Sequence, residues 1–424
     1  MSETVYPTGP LGSLIASQTG GGTPSRQNPA FWTGPIPWAS VKDFAEGGTE
    51  LLATEERISL QGLQASATNL IPANTPIVCT RMAVGRVAIA PMDVAINQDL
   101  KALTPARGVS TRYLLRLADY AKPKAEAVSV GSTVKGIKVS DYLNIQLPIA
   151  PLSAQPKIAE VLDTLDAAIR GTEAVVAKLR AMKQGLLHDL LTRGIDANGD
   201  LRPPQPEAPH LYHQTPLGWL PKEWGFSALG SVTTLITSGS RGWARYYADD
   251  GQLFVRSQNV RMGRLDLTDR QHVQVVASAE GARTGLEASD FLVTITGNGV
   301  GNACVVPSDW EEVAFVSQHV GLIRFFDESL GCFAGRYFVE GAPGNRQILD
   351  AQYGQSKPGL SLSNLRDLVM GIPPEAERSR LLDTLSEIDG KISGETFLLA
   401  KLRLQKAGLM DDLLTGRVPV TPLL

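Results

Sequence analysis

A heptad seam that occurs twice constrains the fold of this 424-residue chain more than any other feature. Between residues 156 and 193, apolar side chains recur at alternating steps of four and three, the spacing of a coiled-coil helix. The seam returns without a gap 223 positions later, the separation of Ile158 from Leu381. The two copies therefore predict two long helices that pair antiparallel. Their seam residues are Ile158, Leu162, Leu165, Ile169, Val176, Leu179, Leu186 and Leu190, and Leu381, Leu385, Ile388, Ile392, Leu399, Leu402, Leu409 and Leu413.

The two seams also share their interruptions. Polar residues at seam positions usually set the register and orientation of the partner helix, at some cost in stability. Glycine inside a helix costs about 1 kcal/mol relative to alanine, so glycines present in both copies predict close helix approach or a bend. The shared positions are Thr172 with Glu395, Lys183 with Lys406, Gly171 with Gly394, and Gly185 with Gly408.

The rest of the chain repeats with the helices. Landmarks recur on both sides of the first helix, such as Leu11-Gly12-Ser13 with Leu229-Gly230-Ser231 and Val84-Gly85-Arg86 with Val300-Gly301-Asn302, while the residues between them diverge. The prolines that follow the first helix predict an extended, fairly stiff connection. We therefore predict a first mixed domain over 1–150, a helix over 151–195, a Pro-rich linker over 196–224, a second mixed domain over 225–375, a helix over 376–417 and a tail over 418–424.

Composition limits the function classes. The formal net charge is −3, with 13 Lys and Arg against 11 Asp and Glu in residues 1–150, and 12 against 16 in residues 225–375. Any nucleic-acid-binding face must therefore be local or shared with a more basic partner. No apolar run reaches the ~18 residues that cross a membrane, and no signal peptide is visible, so we expect a cytoplasmic protein. The scattered Cys79, Cys304 and Cys332 predict reduced, mostly buried thiols.

Three motifs suggest catalysis but lack the residues that would complete a site. Asn28-Pro29-Ala30-Phe31 matches the Asn-Pro-x-aromatic element of adenine methyltransferases, yet no glycine-rich cofactor pocket follows. Residues 297–301 (GNGVG) resemble a nucleotide loop without the helix signature after it, and we predict a strand-to-strand turn. The acidic Asp309, Glu311 and Glu312 lack the lysine of a metal-dependent nuclease. We therefore predict no catalytic site and no metal site.

The chain resembles the specificity (DNA-recognition) subunit of type I restriction-modification systems. The resemblance rests on residues 21–38 (GGTPSRQNPAFWTGPIPW), 80–89, 96–103 and 131–166, and on the helix endings HDLLTRG and DDLLTGR. It implies an α+β fold with two related target-recognition domains, separated by two long antiparallel conserved helices that form a coiled coil with pseudo-twofold symmetry. The second domain departs from the pattern at residues 236–247, which lack the Thr-Pro pair.

The resemblance also implies a function and partners. The chain is expected to be non-catalytic, with each domain reading one half of a bipartite, asymmetric double-stranded DNA site. Two modification subunits would dock on the helices and use S-adenosylmethionine, the only cofactor expected, to methylate adenine. Restriction subunits may join the complex. The residues assigned to helix pairing and subunit docking are Leu162, Leu165, Ile169, Leu179, Leu186, Leu385, Ile388, Ile392, Leu402 and Leu409.

Direct readout of DNA requires hydrogen-bonding side chains, with Arg suited to guanine, Asn or Gln to adenine, and Lys, Arg, Ser and Thr to phosphate. Of the tryptophans, Trp38 is predicted in the core and Trp243 as a loop anchor or a stacking partner of DNA. The candidates are Thr23, Ser25, Arg26, Arg81, Arg86, Gln98, Lys101 and Lys135 in the first domain, and Arg241, Arg245, Arg256, Gln258, Asn259, Asn302, Gln318 and Lys357 in the second.

Two other functions fit the repeat. A coiled-coil scaffold whose globular ends bind proteins has the same geometry, and a shift of specific duplex in a gel would separate the two hypotheses. A methyltransferase in its own right is the third, and binding of cofactor by the isolated chain would reveal it.

Overall fold

The computed structural model describes residues 6–132, 134–239, 241–274, 279–354 and 358–420. The chain forms two compact units. Unit 1 comprises the residues up to 174 together with those from 396 onward, and unit 2 comprises residues 175–395. Among the described residues, no helix combines the length and apolar character that crossing a membrane requires.

Unit 1 is built on two four-stranded sheets, in the orders β2-β9-β6-β7 and β4-β3-β8-β5, with β1 paired to β10. Its strands are β1 (Thr8–Pro10), β2 (Ile15–Gly20), β3 (Ile36–Ala39), β4 (Glu56–Ile58), β5 (Asn69–Ile71), β6 (Pro76–Cys79), β7 (Val87–Ile89), β8 (Val94–Ile96), β9 (Leu100–Pro105) and β10 (Gln146–Pro148). Its helices are α1 (Leu60–Gln64), α2 (Thr111–Tyr120), α3 (Lys122–Val128), α4 (Val139–Leu143) and the first part of α5 (Gln155–Thr192), with 3-10 helices at Leu11–Leu14, Pro29–Trp32 and Val41–Asp43.

Unit 2 has a related plan, with four-stranded sheets in the orders β14-β23-β20-β21 and β15-β19-β16-β22 and with β13 paired to β24. The first sheet repeats the order of its counterpart in unit 1, whereas the fourth strand of the second sheet, β15, lies at the edge opposite to that of β5. Its strands are β11 (Tyr212–Thr215), β12 (Gly218–Pro221), β13 (Gly225–Ala228), β14 (Thr233–Ser238), β15 (Tyr247–Ala248), β16 (Gln252–Val255), β17 (Val260–Arg261), β18 (Arg264–Leu265), β19 (His272–Val273), β20 (Phe291–Thr294), β21 (Ala303–Val305), β22 (Ala314–Val316), β23 (Val320–Phe325) and β24 (Val369–Ile372). Its helices are α6 (Ala279–Thr284), α7 (Glu328–Tyr337), α8 (Asn345–Asp350), α9 (Leu362–Asp367) and the first part of α10 (Glu375–Thr415), with 3-10 helices at Pro209–Leu211, Leu229–Ser231 and Trp243–Tyr246.

Strand pairing confirms that the units are related. In each unit, one sheet combines antiparallel strand pairs with a parallel pair, which is β3 with β8 in unit 1 and β16 with β22 in unit 2. The strands β6, β7 and β8 are buried at every residue, as their continuous apolar sequences predict for strands covered on both faces. The predicted α+β fold with an internal repeat is therefore confirmed.

The long helices α5 and α10 have the lengths and seams that the sequence predicts. Every seam position, including the polar Thr172, Lys183, Glu395 and Lys406, is buried or half-buried. Within unit 1, Lys406 reaches Asp166 across 2.7 Å, and within unit 2, Lys183 pairs with Asp389. Because rising numbers on one helix meet falling numbers on the other within unit 1, where Glu173 pairs with Arg403, the two helices run antiparallel there.

The seam lysines belong to two equivalent ionic clusters. In unit 1, Arg116 of α2 pairs with Asp166, the same carboxylate that Lys406 contacts. Burial alone would raise the pKa of Asp166, but Arg116 and Lys406 outweigh it and hold the pKa below its ordinary value. Each cluster thus ties a domain helix to both long helices.

In unit 2 the same roles fall to Arg336 of α7, Asp389 and Lys183. Asp166 and Asp389 differ in exposure, at 9% and 29% of the side-chain surface. The polar interruptions of the seam are therefore paired charges, and the cluster of unit 1 is the more deeply buried.

The prediction of close helix approach at the shared glycines is wrong. A methyl group placed on Gly171, Gly185, Gly394 or Gly408 would meet no atom within 4 Å, and each lies inside a continuous helix. All four glycines are exposed, so they face away from the paired surface. The four glycines therefore lie at helix positions that do not take part in the packing of the seam.

The linker is not simply extended. Its residues 209–221 form a short 3-10 helix and the antiparallel hairpin β11–β12. Leu220 and Trp224 are 3% and 1% exposed and pack in the core of unit 2. Proline density excluded a long helix correctly, but burial of these apolar side chains folded the segment onto the unit.

Candidate nucleic-acid interface

A polar cleft of about 440 Å³ in unit 1 brings together side chains that lie far apart in the sequence. Four of the predicted binding residues line it, namely Thr23, Arg26, Arg86 and Gln98. The full lining is Thr23, Arg26, Trp38, Ser40, Val41, Lys42, Glu56, Met82, Arg86, Asn97, Gln98 and Asp99.

The glycine-rich loop after β2 reaches the cleft because glycine permits close backbone approach. A Cβ on Gly21 would lie 1.9 Å from the carbonyl oxygen of Ile96, so no other residue fits without a backbone shift. The loop then places the Thr23 hydroxyl 2.6 Å from Gln98 Oε1, to which it donates. The Gln98 amide is thereby oriented at the mouth of the cleft, where Gln98 is exposed.

An aromatic and acidic frame holds Arg26. Its guanidinium lies over the Trp32 ring, 3.6 Å from the centroid, and makes a two-bond contact with the Glu56 carboxylate. Trp32 in turn packs edge-on against Trp38, with ring centroids 5.0 Å apart, and Trp38 Nε1 donates to Gly22 O. Hydrogen bonds from Arg26 lower the pKa of the Glu56 carboxyl. The guanidinium is therefore charged, planar and held in one orientation.

Trp38 is 3% exposed, which confirms its predicted place in the core. Asn28, by contrast, accepts a hydrogen bond from Ala30 N and caps a short 3-10 helix. The Asn-Pro-x-aromatic segment thus has a structural role in the loop.

The other predicted residues of unit 1 divide by environment. Arg81 lies 3.4 Å from Asp99 with 58% of its side chain exposed, so it is available at the edge of the cleft. Ser25 and Lys135 are exposed, while Lys101 is half-buried. Arg86 donates to the Phe44 carbonyl and pairs with Glu46.

Arg86 therefore anchors the loop after β3, and its position argues against the predicted base contact. The residues that sequence reasoning missed are Glu56, Asp99 and Trp32. Glu56 and Asp99 each pair with an arginine from another segment, which only the tertiary fold brings near, whereas Trp32 stacks on Arg26 of its own loop.

In unit 2, two of the predicted residues converge on one carboxylate. Arg256 pairs with Asp269 at 3.1 Å, and the Gln258 amide donates to the same carboxylate. Gln258 is exposed, whereas Arg256 keeps only 21% of its side chain exposed. Arg241 and Arg245 are exposed, with Arg245 4.7 Å from the Tyr246 ring centroid.

Asn259 does not face solvent. It is 2% exposed, its amide donates to the carbonyls of Asp266 and Asp269, and its oxygen accepts from Arg256 N. All of its hydrogen-bonding capacity serves the loop, which argues against the predicted base contact. Asn302 likewise donates to the Val260 carbonyl at 3.3 Å.

Gln318 is the counterpart of Gln98 but has different partners. Its amide nitrogen lies 3.1 Å from His319 Nε2, and its oxygen is buried without a hydrogen-bond partner among the described residues. Trp243 is 4% exposed and stacks on Phe254, so it anchors the loop. Lys357 lies outside the described residues.

The part of the chain that the structure describes contains no assembled catalytic group. There, no cluster of three His, Cys, Asp or Glu side chains could hold a metal ion. Residues 297–301 form the predicted turn between β20 and β21. Cys79 and Cys304 are buried, and burial raises the pKa of each thiol to about 12. What the units offer instead is arginine and amide groups positioned by acidic partners.

Comparison with known proteins places these features in a family. Residues 8–180 match the family model described as the type I restriction modification DNA specificity domain. The chain is 31% identical over 162 residues to the type I restriction enzyme EcoR124I/EcoR124II specificity subunit of Escherichia coli, covering 36% of this chain and 39% of that protein. It is 26% identical over 259 residues to the MjaIX specificity subunit of Methanocaldococcus jannaschii, covering 59% and 57%. The matches thus span less than two thirds of these relatives.

Two solved structures share the fold over nearly the whole chain. The S subunit of a type I restriction-modification system from M. genitalium aligns with a TM-score of 0.61 at 15% identity, covering 98% of this chain and 97% of that one. A chain from a structure concerned with complex assembly and conformational transition of the type I system aligns with a TM-score of 0.56 at 15% identity, covering 97% and 98%. At this identity, the likeness establishes the fold alone.

Proposed function

We propose that the chain is a specificity subunit of the type I restriction-modification family, the non-catalytic subunit that selects DNA sequence for a restriction-modification complex. Each unit reads one half of a two-part, asymmetric site. The observation that carries the proposal is the match of residues 8–180 to the DNA specificity domain, the segment that contains the arginine and amide cleft of unit 1.

The cleft has the chemistry that sequence reading requires. Arg26 and Gln98 present a planar donor and an amide on side chains that neighbouring groups already orient. Arginine pairs with guanine and glutamine with adenine through two hydrogen bonds each, and pre-orientation lowers the entropy lost on binding. Arg81 at the edge supplies a cation for phosphate, which fixes register.

The repeated fold supports a two-part site. The units share one sheet order and one parallel strand pair each, yet their candidate contact residues differ: Glu56 holds Arg26 in unit 1, while Asp269 contacts Arg256 and Gln258 in unit 2. Two units with related sheets but different DNA-contacting residues suit two different half-sites. The comparisons give no support to the protein-scaffold alternative.

The partners follow from the same premise. Two modification subunits dock on the paired helices and methylate one adenine in each half-site, with S-adenosylmethionine bound by them. The docking surface includes the outward faces beside the seam residues. Restriction subunits join the complex in systems that cleave.

Mapping of N6-methyladenine across the genome of the source cell, with the gene present and deleted, tests the proposal. We expect methylation at one interrupted, two-part motif to vanish on deletion and to return when the gene is restored. Restoration with a gene that carries Arg26→Ala serves as the matched comparison. If deletion changes methylation nowhere while the modification subunits are expressed, the chain does not direct methylation.

A further inference from the structure

The turn between β6 and β7 and the turn between β20 and β21 are each closed by the amide of a glycine. The amide of Gly85 donates to the Cys79 carbonyl at 2.9 Å, and the amide of Gly301 donates to the Thr294 carbonyl at 2.9 Å. Both glycines have positive φ, 81° and 90°. A glycine amide therefore closes each turn, across six residues in unit 1 and seven in unit 2, so the turn of unit 2 is one residue longer.

A second pair of bonds matches the two turns at their C-terminal ends. Arg86 N donates to Ala83 O at 3.1 Å, and Asn302 N donates to Gly299 O at 2.9 Å. Counting back from these bonds places Met82 at the tip of one turn and an asparagine at the tip of the other. That asparagine is Asn298, and both tip residues are exposed.

Met82 has a backbone conformation that does not suit it. Its φ is +64°, in the left-handed region that glycine adopts freely and methionine rarely enters. Hydrogen bonds on both sides impose this conformation, from Met82 N to Lys135 O and from Ala83 N to Arg81 O, each 2.8 Å long. Strained residues of this kind concentrate at functional sites.

Burial does not compensate for the strain. Met82 is 64% exposed, although a methionine side chain gains stability only when its apolar surface leaves water. A glycine would be better in the backbone, and a polar side chain would suit the exposure. The side chain therefore has no evident role in folding, while it lines the cleft beside Gln98 and next to Arg81.

We propose that Met82 and Asn298 are specificity-determining residues of the two units. Met82 contacts the 5-methyl group of a thymine in the major groove, and Asn298 forms two hydrogen bonds with the edge of an adenine. Thymine is the base that offers an apolar group in that groove, and adenine offers the donor and acceptor that match an amide. The inference rests on the proposed function and names contacts within it.

The neighbouring groups favour DNA as the occupant. Arg81 flanks Met82 with 58% of its side chain exposed, and Arg26 lines the same cleft. An apolar tip between cations matches a groove whose walls are phosphates and whose floor carries a methyl group. In unit 2, glycines 297 and 299, with φ of 89° and 82°, give the Asn298 tip its shape without strain on the asparagine.

The test is selection of binding sites from random duplex DNA by the full chain assembled with its modification subunits. The wild-type complex should yield one two-part motif. Met82→Ala should lower the preference for thymine at a single position in the half-site of unit 1 by about fourfold, the worth of one buried methyl group. Asn298→Ala should lower the preference for adenine at one position in the other half by at least fivefold, about the lower limit for a two-bond contact.

Matched controls separate contact from folding. Leu152→Ala removes an equally exposed apolar side chain of unit 1 that does not line the cleft, and Asn198→Ala removes an exposed asparagine of unit 2; both should leave the motif unchanged. Met82→Gly should lose the thymine preference with a melting temperature no lower than wild type, because glycine relieves the strained turn.

Two results would overturn the inference in distinguishable ways. If the wild-type complex selects a motif and the Met82 and Asn298 variants keep every position of it, the tips do not read bases, although the proposed function stands. If the wild-type complex selects no motif, the proposed function fails and the tip contacts fail with it.

Discussion

Arginine side chains around the cleft are each held by a carboxylate, and this pairing explains how a nearly neutral protein can present a DNA-binding surface. Arg26 pairs with Glu56, and Arg81 with Asp99. Exposed pairs of this type contribute roughly 0–1 kcal/mol, so exchange of a carboxylate for a base or a phosphate costs little. Under the proposed function, the carboxylates keep the arginines oriented until DNA takes their place.

Arg26→Ala is the residue-scale test of this surface. We expect the assembled complex to bind its site more weakly by about 1–3 kcal/mol, with relaxed selection at one base pair, because a pre-oriented two-bond donor is lost. Fluorescence anisotropy against the methylated motif and its single-base variants measures both effects. Arg107→Ala removes the same charge from an exposed position of unit 1 outside the cleft, and an equal loss there would show that only net charge matters.

Residue type alone identified part of the site. The cleft contains the predicted Thr23, Arg26 and Gln98, because a polar, glycine-rich loop is recognisable in the sequence. Asn259 has the same donor and acceptor groups as a base-reading amide, yet the structure uses them for a buried loop. Sequence gives the chemistry of a side chain, but not the direction in which the fold points it.

The long helices illustrate how an element combines pairing with domain attachment. Asp166 binds Arg116 from a domain helix and Lys406 from the other long helix, within unit 1. A buried pair contributes little beyond its desolvation cost, but loss of one partner leaves an uncompensated charge. The cluster therefore penalises alternative registers of the helix pair more than it strengthens the correct one.

Asp166→Asn should destabilise unit 1 at neutral pH by about 3 kcal/mol, the lower end of the cost of breaking a buried pair, because Lys406 loses its carboxylate while Arg116 keeps Asp163. The folded-state pKa of Asp166 lies below its unfolded value near 4, so this stabilisation is present above about pH 4 and is lost as pH falls through the folded pKa. Urea unfolding at pH 7 and pH 3 should show a gap between wild type and variant that narrows in acid.

Asp389→Asn is the matched variant in unit 2. Asp389 has 29% of its side chain exposed against 9% for Asp166, so water replaces part of the lost interaction and we expect a smaller loss. Equal losses at the two positions would contradict the account based on burial.

Gly171→Ala and Gly394→Ala should each raise stability by about 0.5–1 kcal/mol, since each glycine lies within a helix with open space around it. Differential scanning calorimetry would record the rise in melting temperature. Gly21→Ala should lower it instead, because its Cβ would lie 1.9 Å from the Ile96 carbonyl oxygen. A drop for the helix variants would mean that a partner or a bend needs these glycines.

On the scale of the whole molecule, one fold plan occurs twice with different contact residues. The two units share the order of one four-stranded sheet and the parallel pairs β3–β8 and β16–β22, while Glu56 is the carboxylate that holds an arginine at the cleft of unit 1 and Asp269 is the carboxylate that contacts Arg256 and Gln258 in unit 2. The contact residues of one unit can therefore change without a change in its sheets.

Exchange of residues 1–150 for the equivalent domain of another family member should change only one half of the recognised motif. The exchange replaces the cleft of unit 1 and leaves residues 225–375 of unit 2 unchanged. Methylome sequencing of cells that express the hybrid with the original modification subunits would give the new motif. Changes in both halves would contradict independent reading by the two units.

The sequence by itself determined the repeat and the long helices, because a heptad period and a 223-residue shift are local, periodic signals that burial must respect. Every predicted seam position is buried or half-buried. The tertiary structure alone decided that the seam lysines pair with Asp166 and Asp389, that the linker folds as a hairpin, and which polar side chains face the cleft. These outcomes depend on contacts between residues tens to hundreds of positions apart, such as Arg26 with Glu56, and no local pattern encodes them.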